Sequence, residues 1–83
     1  MGKFEFLFSC AERAVDEVKE VNKAIDVLTA EANIVALRFL IGAKETHKQF
    51  FNGMIDEMSE LPDPLTDEQA TQVADLIEQM EEL

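Results

Sequence analysis

Two side chains in this 83-residue sequence are of the types that enzymes use for nucleophilic and acid–base chemistry. Cys10 is the single cysteine and His47 the single histidine. Cys10 would lie at the first turn of a helix capped by Ser9, where the helix dipole favours a reactive thiolate. The simpler interpretation of Cys10 is a small apolar side chain. The simpler interpretation of His47 is a packed, hydrogen-bonded imidazole beside Phe50 and Phe51. We expect the simpler interpretation for both.

The residues around these two side chains do not complete a known catalytic or metal-binding pattern. A helical metal pair needs a ligand three residues before or four after the histidine, where the sequence has Lys44 and Phe51. Residues 63–67, DPLTD, lack the alternating oxygen ligands and the glycine of a calcium loop. No glycine-rich loop, CxxC, HExxH or GxSxG sequence occurs. We therefore expect a protein that is not an enzyme, with no metal and no cofactor.

Carboxylates are the third chemical type in the sequence, and they are concentrated at one end. The chain has 18 acidic and 7 basic residues, a net charge of −11. Residues 1–48 hold all seven bases and eight acids, whereas residues 49–83 hold ten acids and no base. Such a field repels nucleic acid and anionic membranes and attracts basic protein surfaces. The predicted partner-binding residues are Asp56, Glu57, Glu60, Asp63, Asp67, Glu68, Asp75, Glu78, Glu81 and Glu82.

Two functions are consistent with this acidic end. The first is a binding protein that docks on a basic surface of another protein, in its specific form inhibiting a nucleic-acid-handling or phage-defence protein by mimicking nucleic acid. In size and charge the chain is similar to small phage-encoded antagonists of host defence proteins or nucleases, a likeness of composition without a shared motif. The alternative is a helical dimeric scaffold or assembly chaperone, in which the acidic surface only provides solubility.

The first half of the sequence predicts one long helix. Ser9 and Glu12 form a capping-box pattern, which predicts a helix from about residue 10 after an extended arm that contains three phenylalanines. Apolar residues then recur at steps of three and four as far as Phe39, which is a heptad-type stripe. A helix over 10–41 would be about 48 Å long, so it either breaks near 29–33 or packs against a second chain. The predicted homodimer interface comprises Ala14, Val18, Val21, Ile25, Leu28, Val35 and Phe39.

Two further helices are predicted after Gly42. The first covers about 43–60 and ends before Pro62 and Pro64, and the second covers about 67–82 after a capping box from Thr66 to Gln69. The expected fold is a single all-α domain of two or three helices over 1–83. The alternative is an α+β fold with short strands at 3–8 and 34–41. Because no apolar run reaches membrane-spanning length and the cysteine is unpaired, we expect a cytoplasmic protein.

Overall fold

Three helices make up the structure, a computed structural model that describes residues 2–83. They are α1 (Lys3–Ala30), α2 (Ile34–Ser59) and α3 (Asp67–Glu81). No strand occurs between residues 2 and 83, so the predicted all-α class is confirmed and the alternative strands at 3–8 and 34–41 are wrong. α1 and α2 form an antiparallel hairpin, and α3 packs along the half of the hairpin that contains the start of α1 and the end of α2.

The N-terminal segment is helical, so the predicted extended arm is wrong. α1 begins at Lys3 with Gly2 as its N-cap, and Ser9 lies inside the helix rather than capping it. Phe4, Leu7, Phe8 and Ala11 follow the three-and-four spacing of the stripe, which places them on one side of a helix. Leu7 and Ala11 are buried, and the rings of Phe4 and Phe8 stack with their centroids 5.6 Å apart. Apolar burial outweighs a local capping pattern here because a cap contributes only about 1 kcal/mol.

The long helix breaks at Glu31–Asn33, within the region predicted from the length of the stripe. The amide of Ala32 donates to the carbonyl of Thr29, and the amide of Asn33 donates to that of Leu28, both at 3.1 Å. These two hydrogen bonds form a Schellman motif, which needs a left-handed residue between the cap and Asn33. Ala32 takes that conformation, with a φ of 55°. The Asn33 side chain then caps α2 by accepting from the amide of Ala36 at 3.2 Å.

Replacing Ala32 with glycine is expected to raise the free energy of unfolding by about 1 kcal/mol, because glycine adopts a positive φ without the steric penalty of a Cβ. Chemical denaturation monitored by circular dichroism measures the change. Ala74→Gly is the matched control, since Ala74 is exposed in the middle of α3 and should lose about 1 kcal/mol on the same substitution. An equal loss at both positions would contradict the strained turn.

The helix predicted to begin at residue 43 instead begins at Ile34 and continues through Gly42 to Ser59. A glycine inside a helix costs about 1 kcal/mol relative to alanine, which the burial of apolar side chains on either side of it offsets. Leu40, two residues before Gly42, and Ala43, directly after it, are both half-buried. The apolar run at 34–41 is therefore a helix with apolar residues on its exposed side as well as on its packed side.

Hydrogen bonds hold α3 at both of its ends. Thr66 and Gln69 form the predicted capping box at the start of α3, with reciprocal hydrogen bonds of 3.1 and 3.0 Å. At the other end, the Asn22 side chain donates to the main-chain oxygen of Leu83 at 3.3 Å, so α3 extends along α1 as far as residue 22. The core lies where the three helices meet. Its buried residues are Leu7, Ala11, Ala14, Val15, Val18, Phe51, Met58, Val73, Leu76 and Met80.

The hairpin is longer than the three-helix region. The described residues extend over 49 × 19 × 17 Å with a radius of gyration of 15.0 Å, against about 12 Å for a spherical chain of this length. Beyond residue 22 of α1 the structure consists of two helices only, and no buried residue occurs between Val21 and Phe50. Among the helices that the structure describes, none combines the length and the apolar character needed to cross a membrane.

Candidate protein-binding surfaces

The ten predicted partner-binding carboxylates are all exposed. We call them the acidic surface: Asp56, Glu57, Glu60, Asp63, Asp67, Glu68, Asp75, Glu78, Glu81 and Glu82. They lie at the end of α2, in the loop after it, and along α3 to its C-cap. The structure therefore places the whole set in the three-helix half of the molecule, away from the hairpin turn.

Four of these carboxylates follow one side of α3. Glu68, Asp75, Glu78 and Glu82 recur at steps of seven, three and four residues, which places them on one face of a helix. Val73, Leu76 and Met80 occupy the opposite face and are buried in the core. That burial fixes the rotation of α3. The four carboxylates therefore point away from the hairpin, along a line about 21 Å long.

No base neutralises the acidic surface through a direct ion pair. Within the described residues, Lys23 pairs with Glu20 at 3.1 Å and His47 Nδ1 contacts Glu17 at 2.9 Å, and neither contact includes a residue of this surface. Lys3 lines a shallow depression with Glu57 and Glu60 but lies beyond ion-pair distance of both. The carboxylates therefore keep their charge available to a basic partner.

The acidic surface also opposes two helix dipoles. The last turns of α2 and α3 contain no basic residue, although Glu57 and Glu81 lie there. Carboxylates at helix C-termini are unfavourable by a few tenths of a kcal/mol each when exposed. Asp67 and Glu68, in the first turn of α3, have the favourable placement. Acids at both C-termini therefore lower stability slightly. Departures of this kind from local rules are expected at functional sites, which makes this surface a candidate for binding.

A second candidate surface is the side of the hairpin that α3 leaves uncovered. A groove of about 300 Å³ runs between α1 and α2 on this side, lined by Cys10, Arg13, Ala14, Glu17, Thr46, His47 and Phe50. α3 instead adjoins Phe51 and Asn52 of α2. Steps of three and four residues from the groove continue along both helices. We call the apolar residues along this side the open face: Phe6, Val21, Leu28, Val35, Phe39 and Phe50.

The open face is strongly apolar for a surface. Val35 is 82% exposed and Phe39 is 78% exposed, and Phe6 and Phe50 are exposed as well. Val21 and Leu28 are half-buried between the helices. Monomeric proteins rarely expose contiguous apolar patches larger than a few hundred Å², and larger patches commonly mark interaction sites.

The structure divides the predicted homodimer interface into three groups. Ala14 and Val18 are buried in the core of the chain itself, and Ala14 also lines the groove. Ile25 lines a different depression, beside Ile41 and Leu83 on the side of α3. The remaining predicted residues lie together on the open face: Val21, Leu28, Val35 and Phe39.

The groove also brings together side chains that the sequence pattern did not connect. The Glu17 carboxylate of α1 lies 2.9 Å from His47 Nδ1 of α2, and Cys10 lines the same groove. Cys10 and Glu17 are seven residues apart, which alone would have indicated one helix face, but the sequence does not show which part of α2 faces them. In the described residues no hydrogen bond joins the thiol to His47, and no group of three metal-ligating side chains occurs. The groove thus contains a half-buried histidine whose nearest charged neighbour is Glu17.

Comparison of the chain with models of protein families, with curated proteins and with solved structures finds no match in any of the three.

Proposed function

We propose that this chain is a non-enzymatic acidic binding protein that docks on a basic surface of another protein. The observation that carries the proposal is the acidic surface, whose ten carboxylates are exposed and form no ion pair within the described residues. Charged surfaces of opposite sign accelerate association and fix the relative orientation of two proteins. The partner contributes Arg and Lys side chains, and neither nucleic acid nor a membrane is bound directly.

The specific form of this proposal is inhibition by nucleic-acid mimicry. A basic protein surface that normally binds phosphates is the surface most complementary to a line of carboxylates, because Arg and Lys pair with both groups. The four carboxylates along α3 are held by a helix whose opposite face is buried, so the backbone that carries them loses little conformational freedom on binding. A nucleic-acid-handling protein, such as one that acts in defence against phage, is the proposed target.

Neutralising the four carboxylates of α3 is expected to slow association with the partner by about tenfold or more, because electrostatic steering depends on them. The variant combines Glu68→Gln, Asp75→Asn, Glu78→Gln and Glu82→Gln. Partners are first recovered from the native host with the wild-type protein, and association and dissociation rates are then measured at low and high salt. Wild-type association should slow steeply with salt, since charges are screened beyond about 10 Å at about 0.1 M ionic strength.

The matched control removes the same four charges elsewhere. The control variant combines Glu12→Gln, Asp16→Asn, Glu31→Gln and Glu45→Gln. These four residues are exposed, form no ion pair and lie outside the acidic surface. This variant should change the association rate much less than the α3 variant. If both variants associate like the wild type and salt has no effect, the acidic surface only keeps the protein in solution.

The open face supports a second proposed function, a homodimeric helical scaffold or assembly chaperone. Its apolar side chains include Val35 and Phe39, which are mostly exposed in the single chain. In this proposal the hairpin makes the functional contacts, binding is largely independent of salt, and the acidic surface serves solubility. The same pair of quadruple variants separates the two functions, because neither variant changes a residue of the open face.

A further inference from the structure

We infer that the open face is covered by the open face of a second copy of this chain, so that the two lines of α3 carboxylates point outwards on opposite sides of the dimer. The contact surface rests on the homodimer proposed above, and the resulting bivalency rests in addition on the proposed binding of a basic partner. Val21, Leu28, Val35 and Phe39 of the predicted interface lie on this face, while Phe6 and Phe50 extend it towards the other end of the hairpin.

The shape of the open face suits a two-fold contact with itself. In such a contact every protruding group must meet a recess of the same surface. The open face offers both, because Phe6, Phe39 and Phe50 are exposed rings and the groove between Cys10 and His47 is a recess lined mainly by apolar surface. Pairing two such faces places four antiparallel helices around one apolar centre, which is a common arrangement in helix bundles.

The charge distribution favours a contact between two copies at this face over a contact through α3. Two copies of a protein with a net charge of −11 repel each other. Six acids lie on α3 or at its C-cap, and α3 packs on the other side of the hairpin from the open face. A contact through the open face therefore keeps these carboxylates as far apart as the thickness of the dimer allows. Contacts through α3 itself would bring them together.

The consequence is a bivalent acidic protein. The line of carboxylates on α3 of one copy faces away from the line on the other copy, so the dimer can bind two basic surfaces at once. When basic sites are repeated on one partner or assembly, binding at the second site becomes intramolecular and overall affinity rises without new contacts. The dimer should therefore dissociate more slowly from an immobilised basic partner than a monomeric variant does.

Sedimentation equilibrium across micromolar concentrations tests the contact surface. The wild type should sediment as a dimer, and the double variant V35E/F39E as a monomer, because both positions are exposed in the single chain and a carboxylate there would be buried by the second copy. Val27→Glu is the control. Val27 is 58% exposed but lies one residue, about 100° around the helix, from Leu28, so this variant should remain dimeric. Circular dichroism verifies that each variant retains its helices.

The single thiol provides a second readout. Cys10 lies in the groove of the open face, so its rate of reaction with a maleimide should fall as the wild type dimerises with increasing concentration. In V35E/F39E the rate should be independent of concentration. A monomeric wild type overturns both the homodimer and this surface. A dimer that persists in V35E/F39E, or one that Val27→Glu disrupts equally, overturns the surface alone. The binding of a basic partner is measured separately and survives either result.

Discussion

Replacing Phe51 with alanine is expected to lower the free energy of unfolding by about 3–5 kcal/mol, the range measured for large aromatic side chains removed from protein cores. Phe51 is 2% exposed and lies among the core residues where α1, α2 and α3 meet. Its removal leaves a cavity that the helices cannot close without moving apart from their other contacts. The loss is comparable to the total stability of a domain of this size, about 5–10 kcal/mol, so the midpoint of urea denaturation should fall sharply.

The adjacent residue is the matched control. Phe50 is 49% exposed on the open face, so Phe50→Ala should cost much less than Phe51→Ala within a single chain. Both substitutions are made in the V35E/F39E background, so that a second copy does not contribute to the stability of either variant. Equal losses at the two positions would contradict the rotation of α2 that places Phe51 in the core and Phe50 outside it.

Replacing Val18 with aspartate is expected to unfold the protein at neutral pH. Val18 is 0% exposed, and an unpaired carboxylate at such a position costs several kcal/mol. Circular dichroism should show loss of the helical signal. The introduced carboxyl would have a raised pKa in the folded state because burial disfavours its charge. Folding is therefore favoured at low pH, near and below the unfolded pKa of about 3.9, and is lost as the pH rises through the raised value.

Val27→Asp serves as the control for this substitution. It adds the same charge to the same helix at an exposed position, so the helical signal at neutral pH should be retained. The acidic surface also responds to pH, and subtracting the pH profile of Val27→Asp isolates the contribution of the buried carboxyl. Retention of a full helical signal in Val18→Asp at neutral pH would show that Val18 is not in the core.

The sequence predicted those features of the fold that depend on local residues or on helix length. Thr66 and Gln69 form the capping box of α3 as predicted, because the residues of a capping box are close in sequence and bond one another. The break between α1 and α2 was predicted from length alone. Its Schellman motif could not be recognised, because that motif usually has glycine where this chain has Ala32.

The errors at Ser9 and Gly42 have one physical cause. The capping pattern at Ser9 and the glycine at position 42 each change helix stability by only about 1 kcal/mol. The packing of α1 against α2 therefore decides where the helices begin. Phe4, Leu7 and Phe8 continue the apolar side of α1 towards the N-terminus and contact the core. Their spacing was visible in the sequence, but a Phe-rich segment that alternates with charged residues is equally consistent with an extended arm.

The two candidate surfaces differ in how far a sequence can predict them. Exposure of the acidic surface follows from charge, since an unpaired carboxylate is rarely buried. An apolar stripe, in contrast, does not show whether it packs within its own chain or against another. Ala14 and Val18 lie on the same predicted stripe as Val35 and Phe39, yet the first two are in the core and the last two are exposed. The difference arises because α3 covers only one half of the hairpin and because the rotation of α2 leaves Phe39 on its exposed side.

The hairpin topology has a consequence for the order in which the chain folds. α1 and α2 are joined by three residues, so their pairing can begin beside the turn at Glu31–Asn33 and extend from there, closing only short loops at each step. α3 joins the core through contacts between residues far apart in sequence, such as Asn22 with Leu83. Because such contacts close long loops, α3 is expected to dock after the hairpin has begun to form. The helix that carries the line of carboxylates thus takes its final position only after α1 and α2 have begun to pair.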